Sequence, residues 1–234
     1  MKYARIILTI TLITFLSTII YGAEENLEEK IARLNREIKE NGWLWEAGIT
    51  GVSGVSKEDG HTIRGLIPIP ENMKGRLPVY SPAQPTALPT TFDWRNNQGT
   101  TPVKNQGSCG SCWAFAATAQ IESHTYIYDG RIEDYSEQAV IDCNPWGYGC
   151  GGGWAGGAYR VFMYDGAVSE ECIPYTASHG NPCTMGSCEI LAYMSNYYSV
   201  SNNAEAIKQA VYNDGPVYTS MFAHDNFQNY SSGC

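Results

Sequence analysis

The run Pro102-Val-Lys-Asn-Gln-Gly-Ser-Cys-Gly-Ser-Cys-Trp-Ala-Phe115 sets a glutamine, two cysteines and a glycine turn immediately ahead of a helix-forming segment. From Ala114 the sequence Ala-Phe-Ala-Ala-Thr-Ala-Gln-Ile-Glu is small and apolar, with no Gly or Pro before Gly130. A buried helix is therefore expected to begin near Ser111 or Cys112. Cys112 then lies in the first turn, where unpaired backbone N–H groups and the positive end of the helix dipole favour an anion, lowering the thiol pKa. The stretch reads as a nucleophile site.

A Cys-Gly-Ser-Cys pair has other uses. A thioredoxin-type redox motif shares the spacing and the helix start, but it belongs beside a βαβ pattern that the neighbouring sequence lacks. A zinc site needs a second ligand pair, and Cys143 and Cys150 stand seven apart in a glycine-rich loop. A disulfide partnership is the plain reading for one of the two cysteines.

Gln106-Gly-Ser-Cys-Gly-Ser-Cys112-Trp-Ala-Phe resembles the active-site segment of papain-family cysteine peptidases. The resemblance runs from Leu88-Pro-Thr-Thr-Phe-Asp-Trp-Arg95, which is similar to the start of the mature family domain, to the chain end. It implies an α+β fold of two half-domains, the helical half present and the β-barrel half only begun. It makes Cys112 the nucleophile and Gln106 the side-chain donor to the oxyanion, and it pairs Cys109 with Cys150. Of the remaining cysteines, Cys143 with Cys183 and Cys172 with Cys188 are the expected pairs, though these two could exchange. The resemblance also lays a bound peptide against Gly110, Gly152 and Gly153. Trp154 and Ala155 then line the pocket for the second residue before the scissile bond. The glycine run Gly149-Cys-Gly-Gly-Gly153 suits that role, because it lets one backbone approach another without obstruction.

Composition fits this reading. A net charge of −9 repels nucleic acid and anionic membrane, so neither is an expected partner. The 24 Gly, 16 Tyr and 8 Cys suit a loop-rich secreted enzyme. Lys2 and Arg5 before the apolar run 6–20 have the layout of a secretory signal, too short for a stable membrane span. Residues 1–22 are read as that signal, 23–87 as a pro-region and 88–234 as the peptidase domain. Entry into the secretory pathway permits disulfides and leads to a lysosome, a digestive vacuole or the exterior.

Within 23–87, Asn26 with Glu29 three residues on forms a capping box, and Leu27, Ile31, Leu34 and Ile38 share one helical face until Gly42. With Trp45-Glu-Ala-Gly48 this resembles the short pro-regions of cathepsin B-like enzymes, which act as intramolecular inhibitors. From Gly51 to Thr91 six prolines exclude a lasting helix, so this stretch reads as an extended connector; the resemblance implies that it lies along the cleft and is cut between Tyr80 and Leu88, the alternative being a plain linker. Further on, a helix capped by Ser136 reaches Cys143, others span 158–164 and 203–213, and a strand is expected over 216–223. Asn229-Tyr-Ser231 is a glycosylation sequon.

A thiolate peptidase also needs an imidazole, and in this family it follows the cysteine by about 130–150 residues. Position 246 or beyond is past Cys234, so the chain is expected to stop short of the catalytic His and Asn. His61, His124, His179 and His224 are expected to serve surface or structural roles. Setting Cys112 aside leaves seven cysteines, an odd number, with Cys234 the expected unpaired one. The function expected is that of a monomeric cysteine endopeptidase precursor acting on proteins or peptides, without cofactor or metal. Its rivals are a catalytically inactive peptide-binding homologue and a thiol oxidoreductase.

Overall fold

A computed structural model describes residues 25–50, 53–54, 64–81 and 87–233. The expectations placed on the leader, His61, the middle of the maturation segment and Cys234 lie outside them.

Helix α1 spans Leu27–Glu40, and both bonds of the capping box form between Asn26 and Glu29. Its apolar face buries Leu34 and Ile38 against Ala47 of strand β1, Trp45–Ala47. Asn35 fixes the strand to the helix: its Oδ1 accepts from Ala47 N and its Nδ2 donates to Ala47 O, each at 2.9 Å. Strand β1 pairs antiparallel with strand β2, Tyr230–Gly233, setting Trp45 opposite Gly233 and Ala47 opposite Tyr230. This short sheet ties the second described element to the last.

The core is helical. Helix α2 runs from Cys112 to Asp129 and ends at Gly130, whose φ of +70° is the left-handed cap that glycine adopts freely. It packs against helix α3, Glu137–Cys143, and helix α4, Ala155–Tyr164. Trp113, Ala114, Ala117, Tyr135, Ala158 and Phe162 close the core between them, each at most 1% exposed. Ser136 accepts from Ala139 N at the start of α3. Helix α5, Ala204–Asp214, is capped by Asn203 in the same way. Disulfides join Cys109 to Cys150, Cys143 to Cys183 and Cys172 to Cys188, stapling the loops around α3.

One expected element is absent. Residues 216–223 form no strand, because a strand exists through its ladder of cross-strand hydrogen bonds and no described segment pairs with these residues. Tyr218 turns onto the α2–α4 core, while Met221 and Phe222 remain 59% and 80% exposed.

Candidate active site

Cys112 opens α2 and is the free cysteine among the described residues, half-buried at the helix start. The loop before it is held at several points. Gln106 Nε2 donates to Cys109 O at 2.7 Å. The Tyr175 hydroxyl donates to Gln106 O at 2.7 Å and lies 2.6 Å from Ser111 Oγ. The Cys109–Cys150 bridge and a bond from Gly110 N to Cys150 O at 3.0 Å join this loop to the glycine-rich turn. That turn closes on itself through reciprocal bonds between Gly149 and Gly152, and Trp113 Nε1 donates to Gly149 O at 3.3 Å. A Cβ on Gly153 would stand 2.6 Å from the Trp113 indole, so only glycine fits there.

The groove between these two loops is occupied by the chain itself. Gly153 N donates to Gly65 O at 2.7 Å, and Ile67 N donates to Gly153 O at 2.8 Å, with Leu66 bridged parallel to Gly153. Gly65 lies so close to Gly110 that a Cβ on it would fall 1.6 Å from Gly110 O. A Cβ on Gly152 would meet Gly65 O at 2.7 Å. The glycines thus permit backbone-to-backbone contact on both sides of the groove. Farther along, residues 78–80 are tied down as well: Tyr80 N donates to Ser199 O at 2.7 Å, and the Tyr80 hydroxyl donates to the Asp214 carboxylate.

Burial beneath this segment pushes the Cys112 thiol above its ordinary value, opposed by the backbone N–H groups of Gly65, Trp113 and Cys112. The sequence led to the opposite expectation, a lowered pKa. The helix-end N–H groups are present and act in the expected sense, but excluding water from the thiol outweighs them here.

Trp154 is the N-cap of α4 and Ala155 its first residue, and both are buried. The Trp154 indole lies nearly parallel to Trp146, with centroids 6.3 Å apart, and its six-membered ring packs on Gly156, where a Cβ would come within 2.2 Å. Of the histidines, His124 is half-buried on α2 against Tyr128 and Gly215, and the loss of water around it lowers its pKa. His179 packs on Gly149, and His224 meets the edge of Phe222. The described hydrogen bonds join none of the three to Cys112. Among the described residues no three His, Cys, Asp or Glu side chains are grouped as metal ligands, and no helix is long and apolar enough to cross a membrane.

The Asn229 side chain is fully buried, and Gly48 N donates to Asn229 O at 2.7 Å.

A charged cluster behind the site was not anticipated. Lys104 Nζ lies 2.7 Å from Glu122, 2.6 Å from Asp134 and 3.0 Å from Glu137, and both glutamates have side chains only 1% exposed. Glu122 Oε1 also accepts from Tyr135 N, and its Oε2 from Thr101 Oγ1. Burial pushes the Glu137 carboxyl up to about 7 against the pull of Lys104. The available signal was Glu122 itself, a charge ending an otherwise apolar helical run.

With this geometry in place, the comparisons agree. The family model described as papain family cysteine protease matches residues 88–234, and the chain belongs to that family. Ananain from Ananas comosus is 38% identical over 168 residues, covering 70% of this chain and 48% of its own length. Digestive cysteine proteinase 2 from Homarus americanus is 36% identical over 174 residues, covering 69% of this chain and 54% of its own length. The chain thus spans about half the length of these two relatives. Among solved structures, digestive procathepsin L 3 from Tenebrio molitor larval midgut superposes with a TM-score of 0.73 at 31% identity. It covers 87% of this chain and 66% of the other.

Proposed function

We propose that the protein is the latent precursor of a secreted cysteine endopeptidase, in which Cys112 attacks a peptide carbonyl. In that step the thiolate sulfur bonds to the carbonyl carbon, and the developing oxyanion is held by the Gln106 amide and the Cys112 N–H. The tetrahedral adduct then collapses to a thioester as the amine departs with the proton that the thiol had given up to the imidazole this chemistry requires, and water, losing its proton to the same base, hydrolyses the thioester to return the thiol. For Gln106 this requires turning its amide from Cys109 O, where it now rests, toward the oxyanion. Gly153 supplies the backbone N–H and C=O that pair with the substrate, Gly110 and Gly152 leave room for its main chain, and Trp154 and Ala155 flank its second residue.

The observation that carries this reading is the segment Gly65–Ile67 seated on Gly153 over a free thiol. It occupies the groove by the same main-chain bonds a peptide would use, and it runs parallel where a ladder could equally be antiparallel. Residues 23–87 are accordingly read as an intramolecular inhibitor, residues 1–22 as a secretory leader, and residues 88–234 as enzyme. Digestive and precursor enzymes among the relatives support entry into the secretory pathway, with an acidic digestive or lysosomal compartment as one destination. The test is to express the full-length protein, remove residues 23–87 by limited proteolysis and assay a fluorogenic peptide with and without Cys112→Ala. Hydrolysis that depends on Cys112 and is suppressed before proteolysis is expected. Hydrolysis that survives Cys112→Ala would overturn the reading.

A further inference from the structure

Tyr175 joins the two ends of the loop that leads into Cys112, yet no step of the reaction above uses it. Its ring stands edge-on to Phe115, with centroids 4.8 Å apart, and Phe115 lies three residues beyond Cys112 on α2. Its backbone N–H donates to Glu170 Oε1 at 2.6 Å, and it sits inside the loop closed by the Cys172–Cys188 bridge. The phenol is thus presented from a backbone that is itself tied down. Its hydroxyl donates to Gln106 O at 2.7 Å and stands 2.6 Å from Ser111 Oγ. Because its one proton goes to Gln106, Ser111 is the donor in the second bond.

Gln106 and Ser111 bracket a span that contains Gly107, at φ +61°, and Gly110. Glycines leave a backbone soft unless something outside it holds it. Serine is a favoured helix cap, and Ser111 occupies the N-cap position of α2, fully buried, but its side chain makes no bond to the helix. The hydroxyl is committed to Tyr175 instead. The consequence bears on Gln106, whose amide must leave Cys109 O, now 2.7 Å away, before it can serve an oxyanion. A donor that swings is only as accurate as its pivot, and small misplacements are costly at a reacting centre. Tyr175 ties that pivot to the residue that precedes the nucleophile.

We propose that Tyr175 is a positioning residue for the peptidase reaction: its hydroxyl fixes the Gln106 main chain against Ser111, so that the swinging Gln106 amide reaches the oxyanion formed at Cys112. This rests on the peptidase reading above. The hydroxyl acts through Gln106 and not on the substrate.

The test uses the full-length protein freed of residues 23–87, with kcat counted per Cys112 thiol titrated by iodoacetamide, so that loss of folded protein cancels. Tyr175→Phe keeps the ring on Phe115 and removes the hydroxyl alone. It is expected to lower kcat on a fluorogenic peptide by about 3- to 12-fold, the range one neutral hydrogen bond spans, with KM unaltered. The alkylation rate of Cys112 should stay within about 2-fold of wild type, because the nucleophile is not the group that loses its place. In Gln106→Ala protein the same substitution should change kcat by less than about 2-fold, because the donor that Tyr175 positions is gone. Equal losses in the two backgrounds overturn the proposal, as does an unaltered kcat or a change confined to KM. A fall in alkylation that matches the fall in kcat also overturns it, by placing the effect at the thiol. Wild-type turnover that Tyr175→Phe leaves unaltered defeats this proposal alone, whereas a wild-type protein with titratable Cys112 and no hydrolysis overturns the peptidase reading and this proposal together.

Discussion

Substituting alanine at Gly65 puts a methyl group where no atom fits. The Cβ would fall 1.6 Å from Gly110 O and 2.4 Å from Gly110 C, and both partners are backbone, which a side-chain adjustment cannot relieve. The segment has to lift from Gly110. Doing so breaks the 2.7 Å bond from Gly153 N to Gly65 O and the 2.8 Å bond from Ile67 N to Gly153 O. A neutral hydrogen bond contributes about 0.5–1.5 kcal/mol net, so the two together stabilise the seated segment by about 1–3 kcal/mol. Their loss raises the open population roughly 5- to 150-fold. Alkylation of Cys112 by iodoacetamide in the intact precursor reads that population directly, since the thiol reacts when uncovered. The expected result is acceleration within that range for Gly65→Ala. Gly186→Ala is the control, because a Cβ there meets nothing within 4 Å. Equal rates for the wild-type precursor and Gly65→Ala would refute the claim that Gly65 covers the thiol.

Other expectations follow from individual residues. Gln106→Ala in the matured full-length enzyme should lower kcat by about 10²–10³-fold with little change in KM, and a raised KM at unchanged kcat would assign Gln106 to binding instead. Burial holds the Cys112 thiol above its ordinary value in the precursor, so the midpoint of its alkylation pH profile should fall once residues 23–87 are removed; an unmoved midpoint would contradict burial as the cause. Glu137 keeps its proton in the folded state up to about pH 7, whereas the unfolded chain loses it near 4.5. Its contribution to stability is therefore present below about pH 4.5 and is lost as pH rises through about 7, and Glu137→Gln should flatten the pH dependence of Tm across that window. Deglycosylation of the latent precursor should leave the mass of its Asn229 peptide unaltered, since that side chain is fully buried.

Local chemistry made the helices legible. Asn26, Ser136 and Asn203 each cap a helix through the side-chain bond their residue type favours, and Gly130 ends α2 where the apolar run stops. Cys112 sits at the first position of its helix because nothing between Ser111 and Gly130 interrupts helical propensity. Features that depend on distant partners were less accessible. That the connector is extended could be expected from its prolines, and its course along the groove from the family resemblance, but its exact seat, Gly65 against Gly110 and Leu66 against Gly153, rests on contacts across long sequence separations. The direction of the thiol shift follows from that cover. Lys104 gave no hint of its two buried glutamates, since a lone lysine reads as surface and only Glu122, at the end of an apolar run, signalled a buried charge. Residues 216–223 read as a strand, but pairing decides strand formation, and pairing is not written in a single segment.

The central claim is that Cys112 carries the chemistry of this site, and acid-quenched peptide mapping of the matured full-length protein during turnover of an activated ester tests it most directly. The account predicts one acyl adduct, on the peptide containing Cys112, absent in Cys112→Ser and absent while Gly65–Ile67 remains seated. An acyl group on another residue, or continued turnover with Cys112 unmodified, would contradict it.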